Sequence, residues 1–181
     1  SFESFEYDPK IHPNSHALIC VSPFNGYFSS QNMEKLFNWT RANFEYFDIF
    51  IMDNASKYTL MAMGYEESLA IKKTKKHDRN LYNKIITCLK NIGFSGEDAK
   101  GKILSLSHIS KNRNYVELYK RYADFFKKDP SFKDDCINAS KNILMGKVEK
   151  ITNESLCVAI QYLLLELPIW FNIPDILGLS S

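Results

Sequence analysis

The sequence predicts one α/β domain in which a central parallel sheet carries helices on both faces. Short apolar runs of strand length alternate with longer segments whose apolar residues recur at helical spacing, and this alternation is typical of parallel sheets. The chain has 181 residues, of which 45% are apolar and 24% charged, so it can bury one sizeable core. No internal repeat and no linker rich in proline or serine divides residues 1–181, which favours a single domain.

All three predicted strands lie within the first 107 residues. The first strand is an apolar run that ends in Val21, and the other two have similar length and character. Ser29 or Ser30 can cap the helix that follows the first strand, and Gly93 can end the long helix. The predicted elements are strands at 16–21, 47–52 and 103–107, and helices at 31–44, 56–63 and 66–91.

The C-terminal half is predicted to be helical. Its three segments with helical periodicity are 114–128, 131–145 and 154–171, and Gly146 follows the second of them. In parallel sheets, ligands bind beyond the carboxyl ends of the strands. The loops that follow the first two strands are therefore the places where we expect a functional site.

Ser22 is the first candidate, because it directly follows the first predicted strand. A hydroxyl at this position can act as a nucleophile, and His16, Leu18 and Cys20 share its side of the strand by the two-residue period. The alternative is an ordinary turn, since the Ser-Pro and Asn-Gly pairs in this loop are common in turns. No GxSxG motif is present and no histidine is placed as a base, which argues against a serine hydrolase.

Tyr162 and Glu166 form the second candidate, because their spacing of four places them on one side of a helix. Four leucines surround this glutamate in the sequence, so the helix scarcely has a solvated face. Burial raises the pKa of a carboxyl and suits it to act as a base or to hold an ammonium group. Tyr162 is its natural hydrogen-bond partner. The alternative is a glutamate with a purely structural role.

The long helix carries a cluster of positive charge, in which six basic residues accompany a single acid, Asp78, although the whole chain has a net charge of only +2. A polyphosphate partner would suit this cluster. A solvated face is the usual alternative, and no RNA-recognition signature accompanies the charges. The six are Lys72, Lys73, Lys75, Lys76, Arg79 and Lys84, and four of them, Lys72, Lys75, Lys76 and Arg79, have the spacing of one helical stripe.

Other kinds of site and location have little support. The segment from Gly96 matches GxxxxGK, but Ile103 stands where a phosphate-binding loop needs Ser or Thr, and a strand follows rather than precedes it. Neither a histidine metal motif nor GxGxxG is present. The most apolar stretch contains Gln161, Glu166 and Pro168, so we expect no membrane span. Four scattered cysteines without CxxC are interpreted as small buried residues in a reducing, cytoplasmic compartment.

Together these segments resemble the cyclodipeptide synthases. The resemblance begins with the run from His16 through Ser22 to Ser29, continues through Asp53 and 63–64 into the basic helix, and returns at 162–168. The tail at 173–178 is similar to the stretch that follows this helix in the family. Neither main motif is specific alone, but both occur in this order and at this separation, and they cover nearly the whole chain.

The resemblance implies a Rossmann-type fold similar to the catalytic domains of tyrosyl- and tryptophanyl-tRNA synthetases. It implies an enzyme that converts two aminoacyl-tRNAs into a cyclic dipeptide, a 2,5-diketopiperazine, with no ATP, metal or other cofactor. Ser22 would accept the first aminoacyl group as an ester in a ping-pong mechanism, and Tyr162 with Glu166 would hold the substrate's α-amino group. Tyr115 would be a further active-site tyrosine and Asn25 would support the serine loop. The basic helix, with Lys84 among its important positions, would dock tRNA.

Leu18, Cys20 and Ile169 are expected to line the first aminoacyl pocket, which would then favour an apolar side chain. The family carries another tyrosine shortly after the position of Ser181, so we expect a C-terminal segment to be missing from this sequence. Two alternatives remain open. One is a tRNA-binding module without catalysis, which would tolerate Ser22→Ala, and the other is a transferase that moves an aminoacyl group from tRNA to another acceptor.

Overall fold

The computed structural model describes residues 15–22 and 25–178. Within these ranges it contains three strands, β1 (His16–Val21), β2 (Tyr46–Ile51) and β3 (Ile103–Ser105). The helices are α1 (Ser30–Asn43), α2 (Ser56–Ala62), α3 (Glu67–Asn91), α4 (Gly96–Gly101), α5 (Leu106–Ile109), α6 (Arg113–Lys128), α7 (Pro130–Leu144) and α8 (Asn153–Leu177).

The three strands form one sheet in the order β1-β2-β3. β1 and β2 are parallel, and their pairing begins with His16 opposite Tyr46 and continues to the end of both strands. On the β3 side, the Ile49 amide donates a hydrogen bond to the Lys102 carbonyl at 2.8 Å. The predicted α/β class, with a parallel sheet flanked by helices, is confirmed.

Residue contacts divide the chain into two compact units. The first contains the described residues of 1–51 together with 79–104, and the second contains 52–78 together with the described residues of 105–181. α3 contributes its first half to the second unit and its second half to the first. Organisation as a single domain stays a prediction.

The core of the first unit lies between the sheet, α1 and the second half of α3. Met33 and Phe37 on α1 and Ile85 and Leu89 on α3 are all 0% exposed. Each pair is four residues apart, so each helix presents one side to the core. Cys88 is buried in the same cluster, as predicted for the cysteines.

The core of the second unit forms around α8, which packs against α2, α6 and α7. Ile160, Leu164 and Leu167 of α8 are buried together with Cys136 of α7. By length and apolar composition, α8 is also the one helix among the described residues that could cross a membrane. Its packing against three helices of its own unit is the environment of a core helix.

The third predicted strand is too long. It ends at Ser105 rather than at residue 107, because Leu106 begins the short helix α5. The carboxylate of Asp53 accepts a hydrogen bond from the Ser107 amide at 2.8 Å, which holds this amide in the helical turn rather than in a strand ladder. A contact from a distant part of the chain therefore overrides the alternating pattern.

Besides α5, two further helices differ from the prediction. The short helix α4, whose N-terminus is capped by Ser95, is absent from it. α8 continues beyond the predicted end at Phe171 to Leu177, with non-helical backbone angles at Asn172. The other element bounds agree with the prediction to within one residue. Gly93 and Gly146 have φ values of 99° and 77°, the left-handed conformation expected where a helix ends.

Candidate active site

Ser22 directly follows β1 and is partly buried. The chain then turns back, since the Asn25 amide donates to the Ser22 carbonyl at 3.4 Å and the Phe28 amide donates to the Asn25 carbonyl at 3.2 Å. The side-chain oxygen of Asn25 accepts a hydrogen bond from the Tyr27 amide at 2.9 Å. Residues 23–24 lie outside the described residues. Asn25 thus stabilises the turn that follows the candidate nucleophile.

The far end of this loop is attached to α1 and α3, within the first unit. Ser29 caps α1 by accepting a hydrogen bond from the Asn32 amide at 3.3 Å. The Asn32 side chain donates to the Tyr27 carbonyl at 2.8 Å, and Nζ of Lys84 lies 3.4 Å from the Phe28 carbonyl oxygen. Sequence patterns did not indicate Asn32, because a single asparagine in the first turn of a helix has no distinctive signature.

The side of β1 that carries the predicted pocket residues is only partly apolar. Leu18 is partly buried, but His16 and Cys20 are exposed. Cys20 and Cys157 therefore depart from the expectation that the cysteines are buried. Nε2 of His16 forms an ion pair with the Asp48 carboxylate at 2.9 Å. Ile169 is 1% exposed and belongs to the second unit. A pocket formed by Leu18, Cys20 and Ile169 stays a prediction.

Glu166 lies on α8 among buried leucines, and the predicted rise of its pKa is present. Burial raises the pKa of Glu166 from 4.5 to about 7, and the hydrogen bond from the Tyr162 side chain lowers it by a smaller amount. Glu166 itself is partly buried, and its sequence neighbours Leu164 and Leu167 are each 8% exposed. A carboxyl with a pKa near 7 exchanges its proton at neutral pH, and can therefore hold an ammonium group or accept a proton from it.

Tyr115 holds the backbone beside Glu166. It is 3% exposed, and its hydroxyl donates a hydrogen bond to the Leu165 carbonyl at 3.1 Å. Its ring stacks on Tyr119, with centroids 6.4 Å apart. Burial, and to a smaller extent Tyr119, raises the pKa of the Tyr115 hydroxyl, which stays protonated at neutral pH.

The predicted basic stripe lies on the solvent side of α3. Lys72, Lys75, Lys76 and Arg79 are all exposed, and no ion pair involves them among the described residues. Nζ of the neighbouring Lys73 lies 5.2 Å from the centre of the Tyr65 ring, which is a cation–π distance. The charge of this stripe is therefore available to a polyanion.

Two carboxylates fix the loop that follows β2, and sequence patterns did not assign this role. Asp78 accepts a hydrogen bond from the Asn54 amide at 2.8 Å, and Asn54 has a left-handed φ of 61°. Burial, partly offset by this hydrogen bond, raises the pKa of Asp78. Asp53 holds the start of α5 through the Ser107 amide. Asp78, the single acid among the six basic residues of the cluster, thus has a structural function.

Other candidate sites are not supported within the described residues. No group of three or more His, Cys, Asp or Glu side chains there could hold a metal ion. The GxxxxGK segment forms α4 and precedes β3, which is the reverse of the order in a phosphate-binding loop. A cleft of about 630 Å³ in the second unit lies between the end of α2 and the start of α8, and none of the predicted site residues lines it.

Comparison with known proteins places the fold with solved structures of one enzyme class. A cyclodipeptide synthase from Bacillus thermoamylovorans superposes with a TM-score of 0.80 at 28% identity, over 94% of this chain and 76% of that one. A cyclodipeptide synthetase of Mycobacterium tuberculosis gives 0.80 at 27% identity, over 92% and 70% of the two chains, and is described as related to type I tRNA synthetases. The fold is therefore Rossmann-like and of the class I synthetase type.

The sequence comparisons agree with the structural ones. The family model for cyclodipeptide synthase matches residues 9–181. A cyclo(L-leucyl-L-leucyl) synthase of Staphylococcus haemolyticus is 30% identical over 173 residues, which span 90% of this chain and 71% of that protein. The chain therefore belongs to the cyclodipeptide synthase family. It is an enzyme, a tRNA-dependent aminoacyltransferase.

Proposed function

We propose that this enzyme joins two aminoacyl groups from tRNA into a cyclic dipeptide through an aminoacyl ester on Ser22. The observation that carries the proposal is the partly buried carboxyl of Glu166, whose pKa of about 7 suits it to hold and deprotonate an α-amino group. Both bond-forming steps need an amine in its neutral form. A carboxyl that is half ionised near neutral pH supplies a base there, and its protonated form can return the proton.

The first step is the exchange of one ester for another. The hydroxyl of Ser22 attacks the aminoacyl carbonyl carbon, the bond from that carbon to the tRNA ribose oxygen breaks, and the ribose hydroxyl takes up the proton. Because the aminoacyl ester of tRNA is already activated, the step requires no ATP and no metal. The turn held by Asn25 fixes the backbone that follows the nucleophile.

The later steps convert esters into amides. Reaction of an amine with an ester joins the two amino acids, and a second, intramolecular reaction closes the ring. Two amide bonds form in total, and Ser22 and both tRNAs are released with free hydroxyls. Ring closure benefits from holding the dipeptidyl chain bent, which avoids the entropy cost of a bimolecular encounter.

The substrates are two aminoacyl-tRNAs, docked through the exposed stripe of Lys72, Lys75, Lys76 and Arg79, with Lys73 beside it. Phosphate contacts of this kind give binding energy remote from the reacting atoms. We propose apolar amino acids as the substrates, since Leu18, Cys20 and Ile169 are mostly apolar and three relatives are named cyclo(L-leucyl-L-leucyl) synthases. The supply of aminoacyl-tRNA places the enzyme in the cytoplasm.

Intact-protein mass spectrometry after mixing with charged tRNA tests the proposal. We expect an aminoacyl-sized adduct on the wild type that is absent from Ser22→Ala and retained by Ser30→Ala, an exposed serine at the start of α1. Glu166→Gln should load but release little cyclic dipeptide. An adduct that survives Ser22→Ala would refute the ester assignment. Normal loading with a product other than a cyclic dipeptide would instead identify a different acceptor.

A further inference from the structure

Tyr65 lies in the turn between α2 and α3, where two hydrogen bonds fix the backbone. Its amide donates to the Leu60 carbonyl at 3.1 Å, and the Gly64 amide donates to the Met61 carbonyl at 2.9 Å. Gly64 has a left-handed φ of 90°, and together these features form the Schellman motif that ends α2. Tyr65 is nevertheless 37% exposed. An aromatic residue is therefore held on a fixed backbone and remains accessible to a ligand.

Tyr65 also lines the cleft between the end of α2 and the start of α8. The volume of the cleft, about 630 Å³, lies within the range of small-molecule sites. At its α8 end, the side chains of Thr152 and Ser155 already accept hydrogen bonds from each other's amides, at 3.1 and 3.0 Å. The charged residues of the lining balance one another, two lysines against two glutamates: Lys147, Lys150, Glu149 and Glu154. The residues that line the cleft therefore suit an uncharged, flat group better than a phosphate.

Positive charge adjoins the cleft at Tyr65. Nζ of Lys73 lies 5.2 Å from the centre of the Tyr65 ring, and Lys73 precedes Lys76 of the stripe by three residues, so the two are neighbours on the helix surface. Leu69, one turn before Lys73, is 44% exposed. An exposed aromatic ring, an exposed leucine and a row of lysines thus share one surface. Proteins that bind single-stranded nucleic acids combine such a row of positive charge with aromatic side chains on which bases stack.

We propose that Tyr65 stacks on an unpaired base at the 3′ end of the bound tRNA, with this base in the cleft and the phosphates along the lysines of α3. This role rests on the proposed function, because it takes aminoacyl-tRNA as the polyanion that docks on the stripe. The 3′ end of tRNA is single-stranded, so its bases can stack on an aromatic side chain, whereas the bases of a duplex stem stack on one another. The phosphates match the positive stripe, and the uncharged base matches the charge-balanced cleft.

Two uncharged RNA probes test this role by their Kd values. One is a minihelix made of the acceptor stem of tRNA with its single-stranded 3′ end, and the other is the same stem with a blunt end. We expect Tyr65→Leu to weaken binding of the first probe about tenfold, the loss typical of one stacked base, and to leave binding of the blunt stem unchanged. Tyr65→Phe keeps the ring and should bind both probes as the wild type does. Phe125→Leu is the control, because Phe125 is an exposed aromatic residue of the same unit that does not line the cleft.

The salt dependence of binding separates stacking from phosphate contact. Tyr65→Leu removes no phosphate contact, so the slope of log K against log salt should stay at the wild-type value. Lys76→Met should instead reduce this slope by about one with both probes. If Tyr65→Leu weakens both probes equally, or weakens neither, Tyr65 is not a stacking residue for the 3′ end.

A fluorescent base reports the stacking directly and without catalysis. In the first probe, 2-aminopurine replaces the unpaired bases one at a time, and its fluorescence falls when it stacks on an aromatic ring. We expect this fall at one position on binding to the wild type and to Tyr65→Phe, and no fall with Tyr65→Leu. If both probes bind through the stripe but the fluorescence at no position depends on Tyr65, the stacking role is wrong while tRNA docking stands. If neither probe binds, the stacking role and the docking in the proposed function are both wrong.

Discussion

Replacing Glu166 with glutamine should change how the stability of the protein depends on pH. Burial raises the pKa of Glu166 from 4.5 to about 7, so between these values the folded state holds a proton that the unfolded state has lost. The free energy of unfolding of the wild type therefore falls as pH rises through this interval and is constant beyond it. The interval corresponds to about 3 kcal/mol. Glutamine is neutral throughout, so Glu166→Gln should lack this loss.

Urea unfolding of both proteins at several pH values from about 4 to about 8 measures this difference. Glu154→Gln is the control, because Glu154 is an exposed glutamate in the first turn of the same helix. Hydrogen bonds to the backbone and to Thr152 lower the pKa of Glu154, so it titrates below the interval. The free energy of unfolding of Glu154→Gln should therefore depend on pH in the same way as that of the wild type. If the wild type and Glu166→Gln show parallel pH dependence, Glu166 does not have a raised pKa and the proposed base is wrong.

Three further predictions concern activity, packing and specificity. Cyclic dipeptide formation should increase with pH around a midpoint near 7, because Glu166 must be ionised to accept a proton, and a flat profile in steady-state assays would contradict this. Tyr115→Phe should lower the free energy of unfolding by about 1 kcal/mol, because the Leu165 carbonyl loses its hydroxyl donor. Denaturant unfolding measures this difference, and an unchanged free energy would show that the hydrogen bond does not stabilise the fold. Cys20→Phe should alter the product profile measured by mass spectrometry, and an unchanged profile would remove Cys20 from the predicted pocket.

Most of the fold could be predicted from the sequence because its elements are defined by nearby residues. The period of β1, the cap at Ser29 and the glycines at 93 and 146 each depend on a few neighbours along the chain. β3 could not be predicted correctly, since the alternation after Ile103 continues to Ser107 while the bond from Asp53 ends the strand early. α8 also exceeded its prediction, because Pro174 lies in the last part of a helix that resumes after a break at Asn172.

The same difference between nearby and distant residues decides which features of the candidate site could be predicted. The raised pKa of Glu166 could be predicted because the adjacent leucines indicate a helix without a solvated face, and Tyr162, one turn away, is its hydrogen-bond partner. The environments of Tyr115 and Lys84 are created by distant residues. The Tyr115 hydroxyl contacts a carbonyl 50 residues away, and Lys84 contacts one 56 residues away. Composition and periodicity contain no information about such partners.

The charged residues of α3 show the same difference between neighbours in sequence and contacts in space. Counting charges along the helix groups Lys84 with Lys76, since both are exposed lysines of one basic segment. Their contacts differ, because Nζ of Lys84 lies 3.4 Å from the Phe28 carbonyl oxygen, whereas no ion pair involves Lys76 among the described residues. Asp78 on the same helix holds the Asn54 amide instead of neutralising its basic neighbours. A count of charges along this helix therefore does not describe what each charged side chain contacts.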